Sequence, residues 1–197
     1  MFLYDSALKK VNTKIEILNN EFVNRYDYNP IEHIKSRLKT ADSIVKKLKK
    51  DGHDVTIENM MEYLSDIAGI RIICSFTSDI YQIAEMIAHQ ADVTVLHVKD
   101  YIKNPKPNGY RSYHMIVEIP VFFSKGKTPM RVELQIRTNG MDFWATLEHQ
   151  LRYKKGIEDL PGYAEISEEL LRSAQAVIET DNEMQQIKNK IGMFHDI

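Results

Sequence analysis

Arg131-Val132-Glu133-Leu134-Gln135-Ile136-Arg137-Thr138 alternates polar and apolar residues, the pattern of a half-buried β-strand. Val132, Leu134 and Ile136 face a core in this reading. Arg131, Glu133, Gln135 and Arg137 share the other face, with same-face neighbours about 7 Å apart. A lone carboxylate between two guanidiniums and an amide suits a metal ion beside a phosphate chain. It equally suits a cross-strand salt-bridge ladder on an exposed face, and this strand alone does not choose.

The chain of 197 residues is long enough for one domain with a core and helical extensions. With 43% apolar and 27% charged residues it has the composition of a soluble globular protein. Its formal net charge of -2 does not steer the whole molecule to nucleic acid or an anionic membrane. An anion site must therefore come from local clustering of basic residues. No run of about 18 apolar residues marks a transmembrane helix, and residues 1–19 carry no signal-peptide apolar block. The single cysteine, Cys74, forms no intramolecular disulfide. Flanked by Ile70, Ile72 and Ile73, it reads as a buried, inert thiol. A cytoplasmic protein is the expectation.

Residues 2–24 read as a helix with Leu3, Leu8, Val11, Ile15, Leu18 and Phe22 at helical spacing. Asn29-Pro30 looks like an N-cap with proline at N1. It opens a second helix to about Lys50, with the stripe Ile31, Ile34, Leu38, Ala41, Val45 and Leu48. Ile57 to Leu64 reads as a short helix, 69–75 as a strand, 78–90 as a helix and 93–98 as a strand. A proline-bearing loop over 100–109 leads to a strand at 111–122, a turn at 124–129 and the strand at 130–138. Residues 140–155 form a helix with Phe143 and Trp144 expected in the core. Pro161-Gly162 breaks the chain, and a last helix covers 164–193 with the stripe Leu170, Ala174, Val177, Met184, Ile187 and Ile191. The fold expected is α+β, a mixed sheet of about five strands flanked by helices.

Three constellations could carry chemistry. Lys39, Ser43, Lys47 and Lys50 fall on one side of the second helix, with Arg37 on its adjoining edge, a set that suits a polyphosphate or simply a solvated lysine-rich face. Asp66 stands just ahead of a strand whose Arg71 points away from Ile70 and Ile72. One Asp and one Glu from different strands can hold Mg²⁺ against phosphates, which makes Asp66 and Glu133 the metal pair; alternatively Asp66 caps a turn. Lys106-Pro107-Asn108-Gly109-Tyr110-Arg111-Ser112-Tyr113-His114 carries a turn into a strand with Tyr110, Ser112 and His114 on one face. Aromatic rings near cations suit a nucleobase and its phosphates, although alternating tyrosines also serve sheet packing. No zinc-ligand spacing, P-loop or nucleophile elbow is present.

Four ordered motifs then resemble the synthetase domain of the RelA/SpoT family, in its stand-alone branch of small alarmone synthetases. They are Asp66-Ile67-Ala68-Gly69-Ile70-Arg71, Gly109-Tyr110-Arg111-Ser112-Tyr113-His114, Val132-Glu133-Leu134-Gln135-Ile136-Arg137-Thr138 and Phe143-Trp144-Ala145-Thr146-Leu147-Glu148-His149. The resemblance covers roughly residues 30–155 and implies a nucleotidyltransferase-like catalytic core. It implies transfer of the β,γ-pyrophosphate of ATP to the 3′-hydroxyl of GDP or GTP, giving AMP and the alarmone. Arg37 and Arg71 would sandwich adenine. Lys39, Ser43, Lys47 and Lys50 would hold the ATP phosphates. Asp66 and Glu133 would bind Mg²⁺, and Glu133 would help deprotonate the 3′-hydroxyl. Tyr110 would stack on guanine, while Lys106, His114, Gln135 and Arg137 would contact the acceptor.

Three departures from the family pattern stand out. Asp142 replaces a frequent Asn near the guanine, although a carboxylate there can still accept from the base N1–H and N2–H. Lys50 replaces a frequent Arg, giving up bidentate phosphate binding. The segment 51–62 is slightly long. Neither a hydrolase domain nor a ribosome-coupled regulatory region is expected. A homotetramer built through helices 2–24 and 164–193 is implied, unless those helices pack back on their own domain. The competing functions are pyrophosphate transfer to tRNA 3′ ends or adenine nucleotides, and a non-catalytic nucleotide- or RNA-binding regulator.

Overall fold

The computed structural model describes residues 1–155 and 162–195. Pro161, half of the expected chain break, lies outside them. The elements are α1 (Phe2–Tyr26), β1 (Ile31–Leu38), α2 (Ala41–Lys50), α3 (Ile57–Tyr63), β2 (Ala68–Cys74) and α4 (Thr77–Ala88). Then follow β3 (Thr94–Asp100), β4 (Tyr113–Phe123), β5 (Gly126–Thr138), α5 (Asn139–Lys155) and α6 (Tyr163–His195). One mixed sheet runs in the order β1-β2-β5-β4-β3. β2 and β5 are parallel, and the other neighbours are antiparallel.

The alternation in β5 places the sheet. Val132, Leu134 and Ile136 are fully buried. Ile70, Ile72, Met115 and Val117 join them on one face, which α1 and α4 cover. The expected stripe of α1 is real, and Leu8, Val11, Ile15 and Leu18 bury it in this core. Fully burying a side chain of this size contributes about 2 kcal/mol, so α1 is part of the domain's own foundation. The opposite face, carrying Glu133, Gln135 and Arg71, stays open to form a cleft.

The segment 30–50 departs from the expected single helix. Residues 31–38 form β1, paired along β2 from Ile31↔Cys74 to Leu38↔Ala68. The pairing slips between Ile31 and His33. Such a bulge flips side-chain parity, putting Ile31 on the same face as Ile34 and Leu38. An i, i+3, i+7 spacing thus imitated a helix. Asn29 is no helix cap; its Oδ1 accepts from Ile31 N at 3.2 Å, an Asx turn. The true helix start is Thr40, whose Oγ1 accepts from Ser43 N at 3.3 Å. Lys39 therefore precedes α2 instead of lying on it, and α2 buries Ile44 and Leu48.

Smaller differences follow from pairing. The β4–β5 ladder continues to Phe123↔Gly126, shrinking the expected six-residue turn to Ser124-Lys125. Trp144 is buried with Ala174, but its neighbour Phe143 is 63% exposed. Cys74 is buried, and burial pushes its thiol far up, as an inert thiol requires. No helix among the described residues is long and apolar enough to cross a membrane.

Candidate active site

Register builds the cleft. Arg37 pairs with Gly69 and Lys35 with Arg71 across β1–β2. Gly69 pairs with Glu133 and Arg71 with Gln135 across β2–β5. Gln135 in turn pairs with His114 on β4. These rows put the side chains from three sequence motifs on one open face. Two adjoining chambers result. The smaller, about 120 Å³, is lined by Lys35, Arg37, Gly69, Arg71, Glu133 and Gln135 among others. The larger, about 560 Å³, has Arg37, Arg71 and Gln135 in common with it and adds Lys106, Tyr110, His114 and Arg137.

Glu133 lines the smaller chamber and lies against His114 of the larger one. Its Oε1 lies 3.5 Å from His114 Nδ1, and its Oε2 accepts from Gln135 Nε2 at 3.0 Å. Burial and the nearby Asp66 charge push its pKa up, but His114 and Gln135 outweigh them and hold it below the ordinary value. His114 also reaches Tyr110, with Nε2 2.9 Å from the phenol oxygen.

Asp66, between α3 and β2, is flanked by two lysines. Lys39 Nζ donates to Oδ2 at 2.9 Å, and Lys47 Nζ lies 3.0 Å from Oδ1. Burial raises its pKa, but the two ammonium groups more than reverse this. Lys39 and Lys47 thus converge as expected, although from a loop and a helix. Ser43 accepts a hydrogen bond from Thr40 Oγ1 at 2.8 Å, and Lys50 is exposed in the last turn of α2.

Asp66 and Glu133 are the carboxylates that suit a divalent cation. Both are held charged, and Asp66 Oδ1 is buried without a hydrogen bond, the Lys47 ammonium approaching it only as an ion pair. No group of three or more metal-ligating side chains occurs among the described residues. A site of two carboxylates completed by substrate phosphates fits that count.

Arg137 and Asp142 are not free ligands. Arg137, 4% exposed, donates from Nε to Ser112 Oγ at 3.2 Å and from Nη1 to Asp142 Oδ1 at 3.1 Å. Its Nη2 donates to Tyr110 Oη at 2.5 Å and Gln135 Oε1 at 3.0 Å. Four of its five N–H groups are therefore engaged in support. Asp142 Oδ1 is also 2.9 Å from Arg71 Nη1, and Lys35 Nζ lies 3.9 Å from Oδ2.

Lys35 carries no signal in the sequence patterns, and Asn108 and Glu148, which stand in the quoted motifs, carry none for their contact with each other. Lys35 shares Arg37's face of β1, a pairing visible only once 31–38 is read as a strand. Asn108 donates from Nδ2 to Glu148 Oε1 at 3.0 Å and accepts from Tyr110 N at 3.2 Å. Glu148 is buried and also pairs with Arg152. Its spacing of 40 residues from Asn108 left no local signal.

Comparison with known proteins accords with this geometry. Residues 36–158 match the family model described as the region found in RelA / SpoT proteins. The chain is 43% identical over 191 residues to GTP pyrophosphokinase YwaC of Bacillus subtilis, covering 97% of this chain and 90% of that one. The structure of small alarmone synthetase 2 from Bacillus subtilis superposes with a TM-score of 0.85 at 42% identity, covering 96% of both chains. That of small alarmone synthetase 1 from the same organism, bound to its product pppGpp, gives 0.86 at 34% identity. It covers 96% of this chain and 94% of that one.

Proposed function

The chain belongs to the RelA/SpoT family, and from that membership and the two-chambered cleft we propose that it transfers the β,γ-pyrophosphate of ATP to the 3′-hydroxyl of GDP or GTP. The observation that carries this is the wall of Arg37, Arg71 and Gln135 common to both chambers, with Glu133 beside it. Two nucleotides held in these chambers would lie next to each other, with the charged Glu133 carboxylate beside the wall between them.

In this reading ATP lies against Arg37 and Arg71, whose planar guanidiniums stack on adenine. Lys39, Ser43, Lys47 and Lys50 face its phosphates. The acceptor occupies the larger chamber. Tyr110 offers a stacking surface, and Lys106, 5.0 Å from the centre of that ring, brings positive charge to the acceptor phosphates. His114 and Gln135 orient the ribose end through their contacts with Glu133. Arg137 acts mainly by holding Tyr110 and Gln135. Asp142 orients Arg71 and Arg137, and has only Oδ2 left with which to meet a guanine edge.

The transfer forms a bond from the acceptor O3′ to the β-phosphorus of ATP. It breaks the bond from that phosphorus to the α,β-bridging oxygen, which leaves with AMP. Such chemistry needs in-line positioning and charge neutralisation more than covalent help from the protein. Asp66 and Glu133 would hold Mg²⁺, which supplies charge neutralisation at the phosphates and eases loss of the 3′-hydroxyl proton. Glu133, held charged, accepts the hydrogen bond of that hydroxyl. A carboxylate below its ordinary pKa is a weak base alone, so this role works together with the cation.

The apolar residues Leu147, Leu151, Leu171, Met184, Ile187 and Ile191, exposed on α5 and α6, support a homo-oligomer, in our reading a tetramer. Because α1 spends its main stripe on the core, α6 is the stronger candidate for the interface. The cytoplasm supplies both nucleotides and is where we place the reaction.

The test is pure protein with ATP and Mg²⁺ against GMP, GDP, GTP or tRNA, resolved by anion-exchange chromatography. AMP together with a more highly charged guanosine species is the expected result. Transfer to tRNA alone, or binding without transfer, contradicts it.

A further inference from the structure

Tyr110, on which the acceptor base would stack, belongs to a segment that α6 grips from behind. Gly109 has φ +87°, and a Cβ there would lie 2.4 Å from Ala174 Cβ. The backbone of the turn thus rests directly on α6. Trp144 Nε1 donates to Leu170 O at 3.2 Å one turn earlier. One turn beyond Val177, Asp181 Oδ2 accepts from Thr138 Oγ1 at 2.9 Å and lies 3.6 Å from Arg111 Nη1. Thr138 Oγ1 also accepts from Met141 N at 3.1 Å, capping α5.

The sequence positions matter. Arg111 and Gly109 flank Tyr110, and Thr138 follows Arg137. Tyr110 and Arg137, two residues of the larger chamber's lining, thus each have a chain neighbour held by α6. Arg111 is buried, and its Nη1 makes no hydrogen bond. Burial raises the Asp181 carboxyl above the usual range, with Thr138 and Arg111 pulling the other way. Burying two charges at 3.6 Å is poor economy for stability alone, since an apolar pair there serves as well or better.

We propose that α6 is a positioning element of the acceptor chamber: Asp181, paired with Arg111 and Thr138, fixes residues 109–112 and the end of β5, and through them Tyr110 and Arg137. This rests on the larger chamber being the acceptor's. Arg71 is joined to Arg137 through Asp142, but the contacts for the ATP phosphates, Lys39, Lys47 and Asp66, come from the α2 side of the sheet.

The test is Asp181→Asn in the full chain, which keeps an acceptor for Thr138 and leaves Arg111 uncompensated. Should that variant fail to fold, Gly140→Ala is the second variant: it keeps the Asp181 charge, and its Cβ, 2.9 Å from Val177 Cγ1 and 3.0 Å from Asp181 Oδ1, forces that stretch of α6 to shift. Two readouts are taken. Hydrogen exchange at the Gly109 and Tyr110 amides, which bond to Lys106 O and Asn108 Oδ1, reports on the segment without any activity. It is expected to speed up, whereas the Lys39 amide on Ile67 O keeps its rate. In turnover, the acceptor KM is expected to rise on the order of tenfold while the ATP KM stays within about twofold. Unchanged exchange at Gly109 and Tyr110, or acceptor and ATP KM rising together, would overturn the proposal. Absence of transfer by the unaltered protein would count against the proposed function, and exchange would still decide the role of α6.

Discussion

Gly69 of β2 pairs with Glu133 of β5 across the parallel ladder, and Arg37 of β1 lies over it. A Cβ at Gly69 would meet Arg37 Nε at 3.5 Å and Cγ at 3.6 Å, ordinary contact distances. Gly69→Ala should therefore fold well, gaining about 0.5 kcal/mol from a stiffer unfolded chain. Gly69→Leu should fill the smaller chamber and weaken ATP binding on the order of tenfold or more. Urea titration with equilibrium dialysis of ATP checks both, and full ATP affinity in Gly69→Leu would place the donor elsewhere.

Asp142 is the common partner of Arg71 and Arg137. Asp142→Ala leaves a buried guanidinium without its counter-charge, so about 3 kcal/mol of stability should go. Asp142→Asn keeps one acceptor and should lose about half as much. If Asp142 is a support, both variants impair ATP and acceptor binding together. A loss confined to guanine acceptors would instead make it a reader of the base.

Cys74 lies in β2, buried and with its thiol pushed far up by burial. The thiolate is the reactive species, so iodoacetamide at pH 8 should leave the native protein unlabelled and modify it fully in denaturant. Rapid native labelling would show that β2 opens.

Asp92 receives Lys10 Nζ at 2.9 Å and Lys14 Nζ at 2.6 Å, tying α1 to the α4–β3 connection. Its small burial raises the pKa, but the two lysines lower it further, below the ordinary 3.8. A depressed folded pKa gives stability that is present above the unfolded value and disappears as pH falls through the folded one. Asp92→Asn should therefore cost less than about 1 kcal/mol at pH 7 in low salt, the pair being a third exposed. The difference should shrink in high salt and vanish in strong acid. Chemical denaturation across pH 3–7 reads this directly.

The fold was legible where burial is one-sided. Alternation in β5 and the 3/4 repeat in α1 each stated which face meets the core. β1 was not, because a bulge between Ile31 and His33 reproduced a helical spacing, and its strand state depends on β2, thirty or more residues away. The site was legible as a set of charged side chains on the β5 face, but the pairing of Asp66 with Lys39 and Lys47 was not, since Lys39 precedes α2 and the sequence set it on a helical stripe. What sequence could not give is who holds whom. Arg137, an acceptor contact by family resemblance, is also held by Ser112, Tyr110 and Asp142, and the bond from Asn108 to Glu148 spans 40 residues.

In the proposed reaction Glu133 acts where the two nucleotides meet. The measurement is AMP release by Glu133→Gln in ATP, Mg²⁺ and GTP, alongside nucleotide binding by equilibrium dialysis and a denaturation curve. The expected result is a folded protein that still binds acceptor, with turnover down about 10³-fold. Turnover near that of the unaltered protein would contradict it.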